Sequence, residues 1–276
     1  MRGLALDMSW VPDRCPARRA RHCIAVALLL SGFAVPAPVL ALAQHGAVDG
    51  PDNAHTEYLT RMLVRWKSPP DEAPSTLLEC LATPGAASTV GLHHRVTIQA
   101  PLAAVERVLG DVAHYRDLFP DTVDVHLLAE PHDSEFFVAS WTQRPPVFFL
   151  PDVTYELANR IDRSRPGRIV YRYKLRKGDR LLASDGVLVL DAAGPDVTRL
   201  EEFDFFRADW GPLPVGLVWR ESMRGAYGAD RAIQLKAEHP DWTYPAIEAQ
   251  RKRLVDQASR LIAGCVAARQ PLRLDE

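Results

Sequence analysis

The acidic residues near the end of the predicted strand Thr198–Arg207 are the first candidates for chemistry. Glu202 and Asp204 are two residues apart, so they share one face of that strand. Two carboxylates inside an apolar pocket could bind a ligand or act as an acid and a base. Phe203 and Phe205 occupy the alternate face, and aromatic rings are buried more often than carboxylates. The pattern favours a solvated edge for Glu202 and Asp204, and the pocket remains the alternative.

Motifs for catalysis, phosphate binding or metal binding are absent from the sequence. It contains no G-x-S-x-G, H-E-x-x-H, C-x-x-C or Walker loop. His93 and His94 are adjacent, and neighbours on a strand point to opposite faces, so they cannot easily share one ion. His126 and His132 lack a third ligand of clear placement. The sequence therefore predicts no catalytic residue, no metal and no cofactor, and it favours a binding protein over an enzyme.

Large aromatic residues that alternate along successive predicted strands are the candidates for a ligand-binding wall. The clearest period-two pattern places Tyr171 and Tyr173 on one face, opposite Arg172 and Lys174. Inward-pointing rings would line an apolar cavity with the tyrosine hydroxyls as polar handles, or they would simply fill a core. A loop at 208–217 would close the cavity. The predicted ligand-binding residues are Trp141, Tyr155, Tyr171, Tyr173, Phe203, Phe205 and, in that loop, Trp210.

The elements that would position these residues follow a clear order. A strand begins near Leu92, two short helices end at Pro120, and six further strands lead to Arg207. Two helical patterns follow, of which Tyr244–Ala268 is the more strongly amphipathic. Hairpin-length connections between the strands indicate an antiparallel sheet. The order predicts an α+β fold in which a curved antiparallel sheet wraps around a long C-terminal helix.

This organisation resembles that of the START-like helix-grip (SRPBCC) superfamily, which includes polyketide cyclases, START lipid-transfer domains and coenzyme Q-binding proteins. The resemblance is carried by the strand and Ala-Pro of Val96–Pro101, the helix Val105–Leu109, and Asp111–Pro120 with its Tyr115, Phe119 and Pro120. It covers about Leu92 to Ala268, and these motifs say more about fold than about ligand.

The resemblance implies a binding or transfer protein for an apolar small molecule of the lipid, sterol or quinone class. The ligand would be held in a cavity between the sheet and the C-terminal helix, with transient membrane contact as a further expectation. The alternative is a cyclase- or hydratase-type enzyme that uses buried tyrosine or carboxylate groups. The sequence gives no indication of the oligomeric state.

The first 43 residues have the features of an export signal. Arginines including Arg14, Arg18 and Arg19 precede an uncharged apolar stretch, which ends in an A-x-A pattern at Ala41–Ala43. The sequence therefore predicts a cleaved signal peptide at 1–43 and a periplasmic or secreted protein. An uncleaved N-terminal membrane anchor is the alternative, because the apolar stretch is just long enough to cross a bilayer.

Residues 44–90 are predicted to form an N-terminal helical extension and a Pro-rich linker, and residues 91–276 the START-like domain. Within the extension, His55–Lys67 and Thr76–Ala82 are interpreted as helical. Cys80 and Cys265 remain after cleavage and could form a disulfide in an oxidising compartment, or stay buried thiols. The 276 residues are 47% hydrophobic with a formal net charge of −2, which argues against a nucleic-acid partner.

Overall fold

The computed structural model describes residues 75–81, 89–128, 135–145, 150–209, 211, 213–269 and 272–274. The predicted export signal, the predicted helix His55–Lys67 and Trp210 lie outside these residues. Among the helices within these ranges, none is both long and apolar enough to cross a membrane.

A curved antiparallel sheet forms the larger layer of the domain. Its nine strands, counted over the described ranges, are β1 (Thr76–Leu81), β2 (Thr89–Ile98), β3 (Thr122–Leu127), β4 (Phe136–Gln143), β5 (Val153–Arg165), β6 (Arg168–Gly178), β7 (Leu181–Gly194), β8 (Val197–Ala208) and β9 (Leu272–Leu274). Their order across the sheet is β3-β4-β5-β6-β7-β8-β2-β1-β9. Strands β4 to β8 are joined in sequence order, as expected for consecutive antiparallel strands.

The helices cover one face of this sheet. They are α1 (Leu102–Gly110), α2 (Tyr115–Leu118), α3 (Val215–Glu238) and α4 (Tyr244–Ala268). Helix α3 packs against β1 and β2, and α4 packs on α3. The α+β helix-grip architecture predicted from sequence is confirmed, with two long helices rather than one in the C-terminal layer.

The main hydrophobic core lies between the inner face of the sheet and the helices. Val96, Leu190 and Leu200 from the sheet and Ile233 and Ile247 from α3 and α4 are almost completely buried. Each apolar side chain of this size contributes about 1.5–3 kcal/mol when fully buried. The core therefore holds the helices firmly on one part of the sheet and leaves the remainder of the inner face free to line a cavity.

The prediction of helical turns at Thr76–Ala82 is wrong for the described part of that segment. Thr76–Leu81 is strand β1, which pairs with β2 on one side and with β9 on the other. Thr76 and Leu78 are 1% exposed, so long-range pairing and burial override the local preference. The sheet consequently begins before residue 91, and the short strand β9 was not predicted.

Candidate functional site

A cavity of about 690 Å³ lies between the inner face of the sheet and the helices α3 and α4. Strands β2 and β4 to β8 supply one side of its wall, and α3 closes the other with residues such as Gly225, Ala229 and Ile233. Apolar side chains make up the larger part of this surface. The volume lies within the range of about 300–1,000 Å³ that is usual for small-molecule sites.

Four of the seven predicted ligand-binding residues lie in this wall. They are Trp141, Tyr155, Tyr171 and Tyr173, which alternate inward on β4, β5 and β6 as the sequence predicted. The rings of Trp141 and Tyr155 are parallel, with centroids 6.3 Å apart. The Tyr155 hydroxyl donates a hydrogen bond to Gln143 Oε1 at 2.7 Å. Their role in binding stays a prediction, because the structure contains no ligand.

Phe203 and Phe205 lie on the opposite side of the sheet, which corrects the prediction that they line the cavity. Their side chains are 1% and 2% exposed and pack with Val187 and Val189 on the outer face. Side chains alternate along a strand, so the inner positions of β8 are the even-numbered ones. Glu202, Asp204 and Phe206 therefore line the cavity. The sequence pattern had favoured a solvated edge for the two carboxylates and kept this pocket position as the alternative. Trp210 lies outside the described residues.

Cys80 and Cys265 are free thiols in the structure, and the predicted disulfide is not formed there. Both side chains pack partly buried against the same apolar cluster of β1, β2, α3 and α4. Burial raises the pKa of the Cys80 thiol to about 12, with a smaller contribution from the Glu79 charge. The thiol form therefore prevails at neutral pH, and the bridge stays a prediction.

A network of buried polar side chains forms one end of the cavity wall. His94 on β2 contacts Asp230 of α3 through Nδ1, at 2.9 Å and 3.0 Å from the two carboxylate oxygens. His94 Nε2 lies 3.3 Å from Glu202 Oε2. Asp230 is completely buried and was not predicted from the sequence. Its position three residues after the buried Tyr227 on α3 is the signal that could have identified it.

Tyr173 continues this network across the sheet. Its hydroxyl donates a short hydrogen bond to Glu202 Oε1 and also interacts with Asp204. The ring lies directly over Gly186 of β7, where a Cβ atom would overlap it. Register explains the arrangement, because Tyr173 pairs with Gly186 and Gly186 pairs with Asp204. Gly186 therefore allows the tyrosine to reach two strands across and meet both carboxylates.

The protonation states of this network differ from those of the same groups in water. Burial would lower the pKa of His94, but the charges of Asp230 and Glu202 outweigh burial and raise it well above the ordinary value. Burial would raise the pKa of Glu202, but His94 and Tyr173 lower it. Burial, reinforced by the Glu202 charge, raises the pKa of Asp204 to about 8. At neutral pH His94 is a cation, Glu202 an anion and Asp204 largely a neutral acid.

Four side chains of the cavity wall each contain a buried polar atom that has no hydrogen-bond partner among the described residues. The atoms are Trp141 Nε1, the Tyr171 hydroxyl, Asp204 Oδ1 and Arg224 Nε. Buried polar groups in proteins are nearly always hydrogen-bonded, and an unsatisfied one costs about 1–3 kcal/mol. These atoms are buried beside the cavity rather than exposed to it, so a ligand would reach one of them only if its side chain moved.

His93 forms a second polar cluster on the outer face of the sheet. Its Nδ1 lies 2.5 Å from Glu79 Oε1, and its Nε2 lies 2.5 Å from Glu201 Oε1. Arg95 donates two hydrogen bonds to Glu201, at 2.9 Å and 3.0 Å. The His93 ring stacks on Phe203 with centroids 4.3 Å apart. As predicted, His93 and His94 face opposite sides of the sheet. The described ranges contain no group of three potential metal ligands.

Comparisons with known proteins identify the fold. No protein-family model and no curated protein matches the sequence. A STAR-related lipid transfer protein from Xanthomonas axonopodis (fragment 25–204) is similar in structure, with a TM-score of 0.50 and 15% identity over 60% of this chain and 96% of that one. Human STARD10 gives a TM-score of 0.51 and 12% identity, over 77% of this chain and 91% of that one. At such identities the similarity shows the fold alone.

Proposed function

We propose that this chain, which has the START-like helix-grip fold, binds an apolar small molecule in its cavity and acts as a transfer protein for it. The ligand class is a lipid, a sterol or a quinone. One observation carries the proposal: an apolar-walled cavity of about 690 Å³ between the sheet and the helices α3 and α4.

The size of the cavity supports a ligand over a packed core. Protein interiors are close-packed and contain few voids larger than a water molecule. Walls of Leu157, Leu188 and the four aromatic residues named above would lose dispersion contacts if the space were empty. A ligand in the cavity would restore those dispersion contacts.

The similar structures support the proposal only through the fold. The Xanthomonas protein is described as a lipid transfer protein, and shared folds often carry different functions. The argument for this chain therefore depends on its own cavity.

The loop before α3 is the proposed entrance. Ala208, Leu213 and Leu217 line the cavity at this end, and Val215 is 50% exposed beside them. Exposed apolar side chains at an entrance suit brief contact with a membrane from which a ligand is taken. The proposal includes export through the predicted signal at 1–43. N-terminal sequencing of the mature protein should then give a start near Gln44, whereas an intact Met1 on membrane-bound protein would contradict export.

A second candidate function is an acid–base enzyme of the cyclase or hydratase type. The neutral Asp204 beside the ionised Glu202 favours it, because adjacent carboxyl groups with separated pKa values can serve as acid and base. The two functions are separated by incubating the recovered ligand with fresh protein and measuring its mass. An unchanged ligand supports a carrier, and conversion supports the enzyme.

The first experiment identifies the ligand directly. Purified protein is extracted with organic solvent, and the extract is analysed by mass spectrometry beside an extract of a variant with a filled cavity. Gly225→Trp is that variant, because no atom lies within 4 Å of the added Cβ and the residue lines the cavity. Gly264→Trp is the matched control, since Gly264 also lies in a helix with open space but is exposed on α4 and not part of the cavity wall.

The proposal predicts an apolar molecule in extracts of wild type and Gly264→Trp, and its loss from Gly225→Trp. Uptake of a fluorescent apolar probe should follow the same pattern. If wild type yields no ligand and takes up no probe, or if Gly225→Trp retains both, the cavity is not a binding site.

A further inference from the structure

We propose that the predicted amphipathic helix at residues 55–67 packs on the outer face of the sheet, over Phe203 and Phe205, and shields that face from water. The outer face is the interaction surface, and its occupant is a segment of this chain that lies outside the described residues. The inference goes beyond the proposed function and does not depend on it, because the cavity lies on the opposite face of the sheet.

The middle of the outer face is buried too deeply for an uncovered sheet. Its apolar cluster consists of Val187, Val189, Phe203 and Phe205, which are at most 2% exposed. Among the described residues, the hydrophobic side chains that pack against this cluster come from strands β1 and β6 and not from a helix. Side chains stand roughly perpendicular to a sheet, so neighbours on the same face cannot cover them. Burial this complete therefore requires a further layer.

The polar cluster on the same face leads to the same conclusion. Glu201 is 1% exposed and His93 is 7% exposed, although both side chains point away from the cavity. Charged side chains are rarely buried this completely, even where they are paired as Glu201 is with Arg95. On an uncovered sheet these groups would be in contact with water. The covering layer therefore extends from β7 and β8 to β2.

The described helices do not supply this layer. Their apolar residues belong to the two clusters on the inner face. The connection 82–88 between β1 and β2 contains only alanine, threonine, proline, glycine and serine, so it has little apolar surface. The connection 146–149 contains two phenylalanines, but it joins β4 to β5, and β5 lies three strands from β8. The layer therefore comes from the chain before β1.

Residues 55–67 have the pattern that such a surface requires. Apolar residues recur there at helical spacing and form one stripe, which consists of Tyr58, Leu59, Met62, Leu63 and Trp66. The opposite side of the predicted helix carries charged residues such as Glu57 and Arg61. A helix this short is marginal in water by itself, so it needs a surface on which its stripe is buried.

The dimensions of the segment match those of the surface. The buried patch crosses five neighbouring strands, from Val170 on β6 to Leu81 on β1. At about 4.8 Å between strands, this is a width of about 19 Å. The 13 residues of the predicted helix would extend over about 20 Å. The linker 68–75 can span at most about 26 Å, whereas β8 lies two strands, or about 10 Å, from β1.

The first test is photo-cross-linking within the full chain. The photoreactive residue p-benzoylphenylalanine replaces Leu63, in the apolar stripe, or Val64, on the opposite side of the predicted helix. After irradiation, the cross-linked peptides are identified by mass spectrometry. Position 63 should be joined to peptides of the same chain that contain Val187 or Phe203, and position 64 should give little of this product. Cross-links from position 63 to α3 or α4, to a second copy of the chain, or to nothing would overturn the inference.

The second test measures the exposure of the outer face by hydroxyl-radical labelling of side chains. In wild type, Phe203 should be protected, whereas Leu182, which is 52% exposed, should be labelled. Leu63→Asp places a charge in the apolar stripe and should increase labelling of Phe203 several-fold. Val64→Asp is the matched control, because it places the same charge on the opposite side, and it should leave Phe203 protected.

The labelling of Tyr227 separates loss of this layer from general unfolding. Tyr227 is 3% exposed on α3, in the inner core, and should stay protected in both variants. If Phe203 is labelled in wild type as strongly as Leu182, the outer face is uncovered and the inference is wrong. If Phe203 and Tyr227 both stay protected in Leu63→Asp, another segment covers the face and the inference is also wrong. If Leu63→Asp exposes both residues, the cross-links from position 63 decide, since they are measured without that substitution.

Discussion

Two adjacent histidines on β2 show how differently the two faces of the sheet are built. His93 faces outward, where Glu79 and Glu201 bind its two nitrogens and Phe203 stacks on its ring. His94 faces inward, and its network ends at Asp204 Oδ1, which has no partner in the described part of the chain. In the outer cluster both ring nitrogens of His93 have a carboxylate partner. The inner network borders the cavity and includes a carboxylate oxygen without a partner in the described part of the chain.

The pKa values on the two faces show the same difference. On the outer face, the hydrogen bond that Glu79 accepts from His93 lowers the pKa of Glu79. The hydrogen bonds that His93 donates to Glu201 and Glu79 outweigh burial and raise the pKa of His93. These shifts stabilise an ion pair. On the inner face, burial and a neighbouring charge oppose ionisation of Asp204. A group whose charged form is destabilised is typical of binding and catalytic sites, which are often less stable than the scaffold around them.

The largest expected effect is the dependence of stability on pH that Asp204 causes. Its pKa is raised from 3.8 in the unfolded chain to about 8 in the folded protein, so folding favours its protonated form. At about 1.4 kcal/mol for each pH unit, this group should lower the free energy of unfolding by on the order of 5 kcal/mol between pH 4 and pH 8.

Asp204→Asn should remove that loss, so the variant should be more stable than wild type at pH 8 and should differ less from it at pH 4. Urea denaturation at several pH values measures both proteins. If the free energy of unfolding depends on pH in the same way in wild type and variant, Asp204 is ionised in the folded protein. The inner network would then consist of stabilised ion pairs, like the outer cluster.

His94→Ala should destabilise the protein by about 3–5 kcal/mol, because it leaves the buried Asp230 without its partner, and His93→Ala should destabilise it less. Glu201 keeps Arg95, whereas Asp230 loses its partner His94, so the inner substitution should have the larger effect. Probe binding separates the two faces: His94→Ala should weaken it, and His93→Ala should leave it unchanged at a temperature where both variants are folded. Equal binding losses would show that the faces are coupled.

Two glycines offer a matched test at a smaller scale. Gly186 lies beneath Tyr173 on the inner face, and Gly91 lies beneath Phe205 on the outer face, where an added Cβ would be 2.7 Å from Phe205 Cε1. Overpacking of this kind costs about 1–3 kcal/mol, so both alanine substitutions should lower the melting temperature. Gly186→Ala should also displace Tyr173 from the cavity wall and weaken binding of a fluorescent apolar probe, an effect that Gly91→Ala should not show.

Tyr171→Phe should have the smallest effect. The Tyr171 hydroxyl has no partner within the described residues, and burial raises its pKa to about 12. Removing an unsatisfied buried hydroxyl should leave stability unchanged or raise it by about 1 kcal/mol. If denaturation experiments show that Tyr171→Phe lowers the free energy of unfolding by more than about 2 kcal/mol, this hydroxyl has a hydrogen-bond partner. The two faces of the sheet would then differ less in how fully their polar groups are hydrogen-bonded.

The sequence was sufficient for the architecture because the patterns that determine it are local. Period-two alternation along β6 and the amphipathic pattern of α4 identified the sheet and the C-terminal helix. Thr76–Leu81 was predicted wrongly because its structure depends on pairing with β2 and β9, and β9 lies at the other end of the chain. Local propensity carries no information about such partners.

The inner site was less predictable because it depends on which face of β8 is turned inward. Both faces hold buried groups, so neither Phe203 nor Asp204 reveals the direction alone. Asp230 meets His94 only because α3 packs across β2, a contact between residues 136 positions apart. The face of the sheet that lines the cavity could have been inferred from Gly186, which pairs with Tyr173. A glycine in an apolar strand often marks a place where another group lies close to the backbone.

A crystal structure of the protein with a bound pyrene derivative tests the central claim most directly. The account predicts the pyrene ring in the cavity against Tyr155 and Trp141. A probe bound outside an empty cavity would contradict the claim that the inner face is the binding face of this protein.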